Sequence, residues 1–382
     1  MRILQVTVYG ELKFGGVPQK VFALSEGIIG LGHQVQIVSF HSELREGGQG
    51  ESPKGVKIDY LPWLGRNLLQ FPKNVRKLRA MVRQADLVHC YGLYNFLCPL
   101  AALFSILADK PYLLEPEGMY VRRARSGKLK IVYHWLFTSW MASQSSQVVA
   151  TSNTEADELT SLVSRDKIII RRNGIDVNQF KNLPKNHQFR QKYGIENNEK
   201  VILFIGRISP IKNLENLIKA FGSLSIDRLR LLLVGPQLEP DYQLVLEELI
   251  QSLGLSEKVL LIGPLYQEDK LAALSGADLF VMPSQYESFG IAAAEAVASH
   301  VPVLLTETCG IATLIHRRAG LAVAQDVAGL AGGLKTLLNP ESRKNLTART
   351  GEVIEELSWD EPLLLTEQIY RYILASQLED SK

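Results

Sequence analysis

Two carboxylates, Glu287 and Glu295, stand with seven residues between them in Pro283-Ser284-Gln285-Tyr286-Glu287-Ser288-Phe289-Gly290-Ile291-Ala292-Ala293-Ala294-Glu295-Ala296. The apolar run Leu279 to Met282 reads as a strand, so Glu287 falls in the loop after it. Small apolar residues from Gly290 onward read as a helix that carries Glu295 about two turns further on. Carboxylates are ideal acceptors for pairs of sugar hydroxyls. The N–H groups of Phe289, Gly290 and Ile291 at the helix start, beside Ser288, suit phosphate or sugar oxygens. The alternative is a neutral or paired Glu295 on a buried Ala-rich helix, and the cost of burying an unpaired carboxylate weighs against it. Opposite charge comes from Gly206-Arg207-Ile208-Ser209-Pro210-Ile211-Lys212, which follows the apolar run Val201 to Ile205. Arg207 as a fork and Lys212 as a point charge can converge on a diphosphate; the alternative is two solvated surface cations. Gly15-Gly16-Val17-Pro18 follows the first apolar run and opens a helical pattern through Val21, Leu24 and Ile28. Paired glycines let backbone N–H groups approach an anion, though glycine at such a turn is as readily structural. The spacing is not GxGxxG, which counts against an NAD enzyme.

These residues need a frame. Short runs rich in Val, Ile and Leu alternate with helix-length amphipathic stretches along the whole chain. The first half has Ile3–Val8, Gln34–Phe40, Leu87–Tyr91, Tyr112–Leu114, Val148–Thr151 and Ile168–Ile170. The second has Val201–Ile205, Leu229–Val234, Val259–Ile262, Leu279–Met282, Pro302–Leu305 and Leu321–Val323. This is the pattern of parallel strands buried on both faces, hence doubly wound α/β architecture. The polar stretch 181–200, with Pro184 and many Asn and Lys, interrupts the rhythm and reads as an interdomain connection. Two Rossmann-like domains are expected about a hinge near residue 175. One is 1–175, joined by a closing helix at about 360–382 with Leu365, Ile369, Tyr372 and Ile373 at helical spacing; the other is 176–359. Ligands of such folds bind outside the carboxyl ends of the strands, so the cleft between two facing domains is the expected site.

Bulk properties exclude several classes. The 382 residues are 46% hydrophobic and 21% charged, ordinary for a globular protein. A net charge of +2 gives no global argument for nucleic acid. Cys90, Cys98 and Cys309 are odd in number and lack CxxC spacing, so neither disulfides nor zinc are indicated. Met1 to Val6 reads as a buried strand, not a signal peptide, and no run reaches the ~18 apolar residues of a membrane span. A cytoplasmic protein is expected.

The Glu287-to-Glu295 segment resembles the E-x7-E signature of family 4 retaining glycosyltransferases of the GT-B fold. The resemblance takes in Gly15-Gly16, Gly32-His33-Gln34-Val35, Asn173-Gly174-Ile175-Asp176, Gly206-Arg207 with Lys212, Val234-Gly235, Pro283-Ser284 and the terminal Ser358-Trp359 helix. It implies that 1–175 is the acceptor side and 176–359 binds a nucleotide-sugar donor. Glu295 would hold ribose hydroxyls and Glu287 hydroxyls of the transferred sugar. Arg207 and Lys212 would neutralise the leaving diphosphate, helped by the Gly15-Gly16 backbone, and the backbone around Gly263-Pro264-Leu265 would face the base. The chain has no DxD pair, so these cations and helix dipoles would replace a metal. The implied reaction is metal-independent transfer of a hexose, glucose from UDP-glucose first, to a saccharide or lipid-linked saccharide in polysaccharide assembly.

One position departs from the family. Many relatives carry His-Gly or His-Glu after the strand matching Tyr112–Leu114, where this chain reads Glu115-Pro116-Glu117-Gly118-Met119. Glu117 aligns with the histidine and could accept a sugar hydroxyl, orient the acceptor or take its proton; a register shifted by two would make Glu115 the acid. His89 and His134 are fallback bases, each also readable as structural. The basic segment Arg122 to Lys130, before Tyr133, Trp135 and Phe137, reads either as a peripheral contact with an anionic membrane or lipid-diphosphate acceptor, or as a solvated loop. Two further functions stay open: a sugar-phosphate synthase making a soluble disaccharide, and a catalytically weak nucleotide-sugar binding protein.

Overall fold

In the computed structural model, residues 1–12, 15–65, 70–120, 131–237 and 239–380 are described. The chain divides into two compact units, Met1–Gly174 with Trp359–Lys382, and Ile175–Ser358.

The first unit is built on the apolar runs of the first half. Its strands are β1 (Arg2–Tyr9), β2 (Gln34–Phe40), β3 (Gly48–Glu51), β4 (Lys57–Tyr60), β5 (Trp63–Leu64), β6 (Phe71–Pro72), β7 (Leu87–Tyr91), β8 (Tyr112–Glu115), β9 (Gln147–Ala150) and β10 (Ile168–Ile170). An eight-stranded sheet runs in the order β10-β9-β8-β7-β1-β2-β4-β3, parallel except where β3 joins β4. β5 and β6 form a separate antiparallel pair. β7 and β8 are buried along their whole length, as strands covered on both faces must be. β3 to β6 lie outside the apolar runs. Gly-Gln-Gly-Glu at the sheet edge is mostly exposed and carries no hydrophobic signature.

The helix Gly16–Gly30 buries Val21, Phe22, Leu24 and Ile28 against the sheet, and Pro18 sits in its first turn, where no N–H is needed. The closing helix Asp360–Asp380 belongs to this unit. Its buried stripe is Thr366, Ile369, Tyr370 and Ile373, while Tyr372 is 62% exposed. Tyr370, not Tyr372, is therefore the inward tyrosine. Losing one such buried isoleucine costs about 2–5 kcal/mol, enough to bind the chain's end firmly to the first sheet.

The second unit carries β11 (Lys200–Ile205), β12 (Leu229–Val234), β13 (Val259–Gly263), β14 (Leu279–Met282), β15 (Val303–Thr306) and β16 (Gly320–Val323), all parallel in the order β13-β12-β11-β14-β15-β16. The stretch 181–200 is not a free connection. It folds within this unit as the helix His187–Lys192, with Phe189 buried, and Arg190 donates to the Glu196 and Glu199 carbonyls at 2.9 and 3.0 Å. A buried aromatic and a satisfied guanidinium hold it there despite its polar composition.

Candidate functional site

In the second unit the strand order reverses between β11 and β14, the switch point where doubly wound sheets open a crevice at their carboxyl ends. The loops after those two strands carry Gly206–Lys212 and Pro283–Gly290. The Gln285 N–H donates to the Ile211 carbonyl at 2.9 Å and stitches them together. Asn213 holds a left-handed backbone (φ 57°), and its side-chain amide donates to the Pro283 and Gln325 carbonyls at 3.0 and 2.8 Å. From the other side, Gly310 and Ile311 N–H groups donate to the Glu287 and Phe289 carbonyls at 2.8 and 2.9 Å. The Glu287 loop is thus a braced element.

Lys212 pairs with Glu287 across the crevice, and the two side chains are 15% and 22% exposed. Arg207 is exposed on the same loop as Lys212. Gly290 caps the helix Ile291–Ala298 with a φ of 115°, a left-handed conformation suited to glycine. A Cβ there would also press on Ile311 at 3.1 Å and Met282 at 3.3 Å. Phe289 is buried as the anchor of the loop, and Ser288 and Ile291 are half-buried beside it. Glu295 is buried among Ala293, Ala294, Ala296 and Val297, and Lys270 of the helix Gln267–Ser275 reaches it at 2.6 Å. Glu295 is therefore a paired acid, the arrangement weighed above as the alternative, and Lys270 is a residue that sequence patterns did not single out. Gly263 ends β13 with a φ of 83°, and half-buried Leu265 packs on the core just before the Lys270 helix.

In the first unit the order reverses between β1 and β7. Gly15 precedes its helix at φ 89°, again a left-handed position, and Gly16 begins the helix. One turn in, Lys20 is 1% exposed; it donates to Glu115 at 2.7 Å and contacts Glu117. Arg171 Nη2 donates to both Glu115 oxygens at 2.6 and 2.7 Å. His89 presents Nε2 to Glu115 at 3.4 Å, while Nδ1 meets the hydroxyls of Tyr370 and Tyr91 at 2.8 and 3.0 Å. Burial pushes the Glu115 carboxyl upward, but Arg171, Lys20 and His89 outweigh it and hold the group well below the usual carboxylate range. Burial lowers the His89 pKa, so that ring is a neutral structural element wedged between two tyrosines. Glu115 is likewise a structural anion and not a free base.

Glu117 differs. Its backbone is left-handed (φ 62°), followed by Gly118 at 68°, an uncommon state for a non-glycine residue that costs about 1–3 kcal/mol. Glu155 fixes the turn by accepting from the Gly118 N–H at 2.5 Å and from Thr151. Burial raises the Glu117 carboxyl; Lys20 opposes and Glu115 and Glu155 reinforce it, leaving the group at about 7. A folded-state pKa above the ordinary 4.5 means that stability is lost as pH rises from 4.5 to about 7. Glu117→Gln should therefore unfold with wild type at pH 4 but be more stable at pH 8 by up to about 3 kcal/mol, one pKa unit being about 1.4 kcal/mol. Thermal melts at both pH values check this; equal melting at pH 8 would refute it.

The basic segment Arg122 to Lys130 lies outside the described residues. After it, Ile131, Val132 and Leu136 are exposed and Trp135 is 77% exposed, whereas Tyr133 is buried with its hydroxyl donating to the Asn95 carbonyl. The His134 ring lies against Tyr120 at 5.4 Å. Among the described residues, no helix is long and apolar enough to cross a membrane, and no group of three or more His, Cys, Asp or Glu side chains is placed to hold a metal.

Comparison with known proteins puts these sites in context. The family model "Glycosyltransferase Family 4" matches residues 14–179, and "Glycosyl transferases group 1" matches 185–353. An uncharacterized glycosyltransferase of Methanocaldococcus jannaschii is 27% identical, over 97% of this chain and 98% of its own. Sucrose-phosphate synthase from Thermosynechococcus elongatus superposes with a TM-score of 0.78 at 21% identity, covering 98% of this chain and 99% of that one. Anabaena HepE in complex with UDP and glucose gives 0.78 at 20% identity, covering 98% and 100%. With a family 4 domain matched over 14–179, a group 1 domain over 185–353, and solved structures of GT-B fold superposing over nearly the whole chain, the chain belongs to the family 4, group 1 glycosyltransferases of GT-B fold.

Proposed function

We propose that the chain is a retaining hexosyltransferase that moves glucose from UDP-glucose to a saccharide or lipid-linked saccharide acceptor without a metal. The observation that carries this reading is the β11/β14 crevice, where the braced loops bring Lys212 onto Glu287 and lead directly into the Glu295 helix. In this reading Glu287 takes hydroxyls of the sugar and Glu295 those of the ribose. Arg207 and Lys212 meet the leaving diphosphate, where fixed cations act most strongly as charge develops. Gly263 and Leu265 border the base, and Gly15 and Gly16 offer backbone N–H groups to phosphate. Glu117, buried and close to neutral, serves the acceptor hydroxyl. Support for the donor comes from HepE, whose structure holds UDP and glucose.

Thermal shift with UDP-, GDP- and ADP-sugars tests the donor. UDP-glucose should give the largest shift, about 2.7 kcal/mol at 100-fold excess over Kd, unchanged by chelator. A larger shift with another donor overturns the glucose assignment, and loss of the shift on chelation overturns metal independence. Retention is read from the anomeric configuration of the product. Likeness to a sucrose-phosphate synthase favours a second acceptor class, a free sugar phosphate, and rapid transfer to it in place of lipid-linked saccharide would select that reading.

Peripheral contact with the inner face of the membrane goes with a lipid-linked acceptor, and exposed Trp135 beside Ile131, Val132 and Leu136 supports it. Vesicles with anionic lipid should carry the protein in flotation, and Trp135→Ser should weaken this; failure to float removes the contact.

A further inference from the structure

We propose that Lys270 is a positioning residue that sets how tightly Glu295 discriminates the nucleotide's ribose. The inference rests on the reading of Glu295 as the ribose handle, and nothing in the family signature requires a cation at 270. Glu295 is the sole ionisable residue on the helix Ile291–Ala298, whose other buried positions are Ala293, Ala294, Ala296, Val297 and Ala298. A carboxylate buried there is costly unless a partner fixes it. The Lys270 ammonium does so at 2.6 Å on Oε1, in a pair whose side chains are 20% and 10% exposed.

The contact also spans two parts of the donor site. Lys270 lies in the first turn of the helix that begins just after Gly263-Pro264-Leu265, the segment assigned to the base. Fixing Glu295 from that helix ties the ribose handle to the base-side loop. One ammonium uses only part of a carboxylate's roughly four acceptor positions, so hydroxyl donors can still be received. It also cancels a negative charge in a site that must admit a diphosphate, as Lys212 does for Glu287. Each carboxylate of the pair thus meets the donor already compensated by its own lysine.

The test is calorimetric and needs no turnover. Binding of UDP and 2′-deoxy-UDP is measured for wild type, Lys270→Met, Lys270→Gln, Lys270→Arg and Glu295→Gln. Wild type should prefer UDP, and Glu295→Gln should lose most of that preference. Lys270→Met and Lys270→Gln should reduce the preference about tenfold, and Lys270→Arg should retain most of it. A merely structural lysine would lower the melting temperature and leave the ratio between the two nucleotides intact. An unchanged ratio in both neutral variants, with a clear wild-type preference, overturns the role of Lys270 alone. No wild-type binding of UDP, or of GDP and ADP in the same assay, overturns the donor reading instead.

Discussion

Replacing Arg207 or Lys212 by alanine should slow transfer by roughly 10²–10³-fold while the protein stays folded. That loss, about 2.7–4 kcal/mol, is what removal of one preorganised donor to a developing oxyanion costs. Both cations sit in the loop after β11, on one side of the switch point, and the stitched β14 loop fixes where Lys212 points. In the proposed reaction, charge grows on the leaving diphosphate only as the glycosidic bond breaks, so kcat should fall more than KM rises. Stability should respond weakly to Arg207→Ala, since Arg207 is exposed, and more to Lys212→Ala, which leaves the mostly buried Glu287 without its partner. Arg207→Lys should recover part of the rate, since it restores the charge but not the planar fork. Initial rates at saturating donor, with a melt of each variant, decide the matter; full activity in either alanine variant would discredit its role.

The frame was largely legible because burial on both faces leaves a compositional mark. β14 is Leu-Phe-Val-Met with every residue buried, and a run of that kind between helical stretches has few other readings. β3 has no such mark, because an edge strand of Gly, Gln and Glu is held by its ladder to β4 and not by its side chains. Tyr372 lies two positions past the inward Tyr370 on the closing helix, a rotation of about 200° at 3.6 residues per turn, which carries a side chain from core to solvent and which a spacing pattern does not resolve. The carboxylates and cations were readable as types, but their pairings were not. Lys212 and Glu287 are 75 residues apart, and only the strand order brings their loops together. Lys20 did leave a trace. It shares the apolar stripe of Leu24 and Ile28, and a lysine at a buried helix position demands a buried acid. Which acid, Glu115 or Glu117, depends on how the loop after β8 turns, and that turn rests on two consecutive left-handed residues.

Arg171→Met should destabilise the first unit by about 3–5 kcal/mol, the cost of leaving a buried charge without its partner. Arg171 and Glu115 are both fully buried, and one guanidinium nitrogen serves both carboxylate oxygens. Without it, Glu115 keeps Lys20, but Lys20 already contacts Glu117, so one cation would face two carboxylates in a dry setting. Glu117 would then be driven further toward its protonated form. The pH dependence follows from the direction of the Glu115 shift. Its folded-state pKa lies below the ordinary 4.5, so its stabilisation is complete above that value and is lost as pH falls beneath it. The gap between wild type and Arg171→Met should accordingly be widest near neutrality and narrow in acid. Because Arg171 belongs to the first unit, the nucleotide binding proposed for the second should survive in the variant below its melting transition. Melts from pH 3 to 8, with nucleotide titration at 20 °C, separate these effects. A variant that melts with wild type at pH 7 would show that Arg171 contributes no net stability to the cluster.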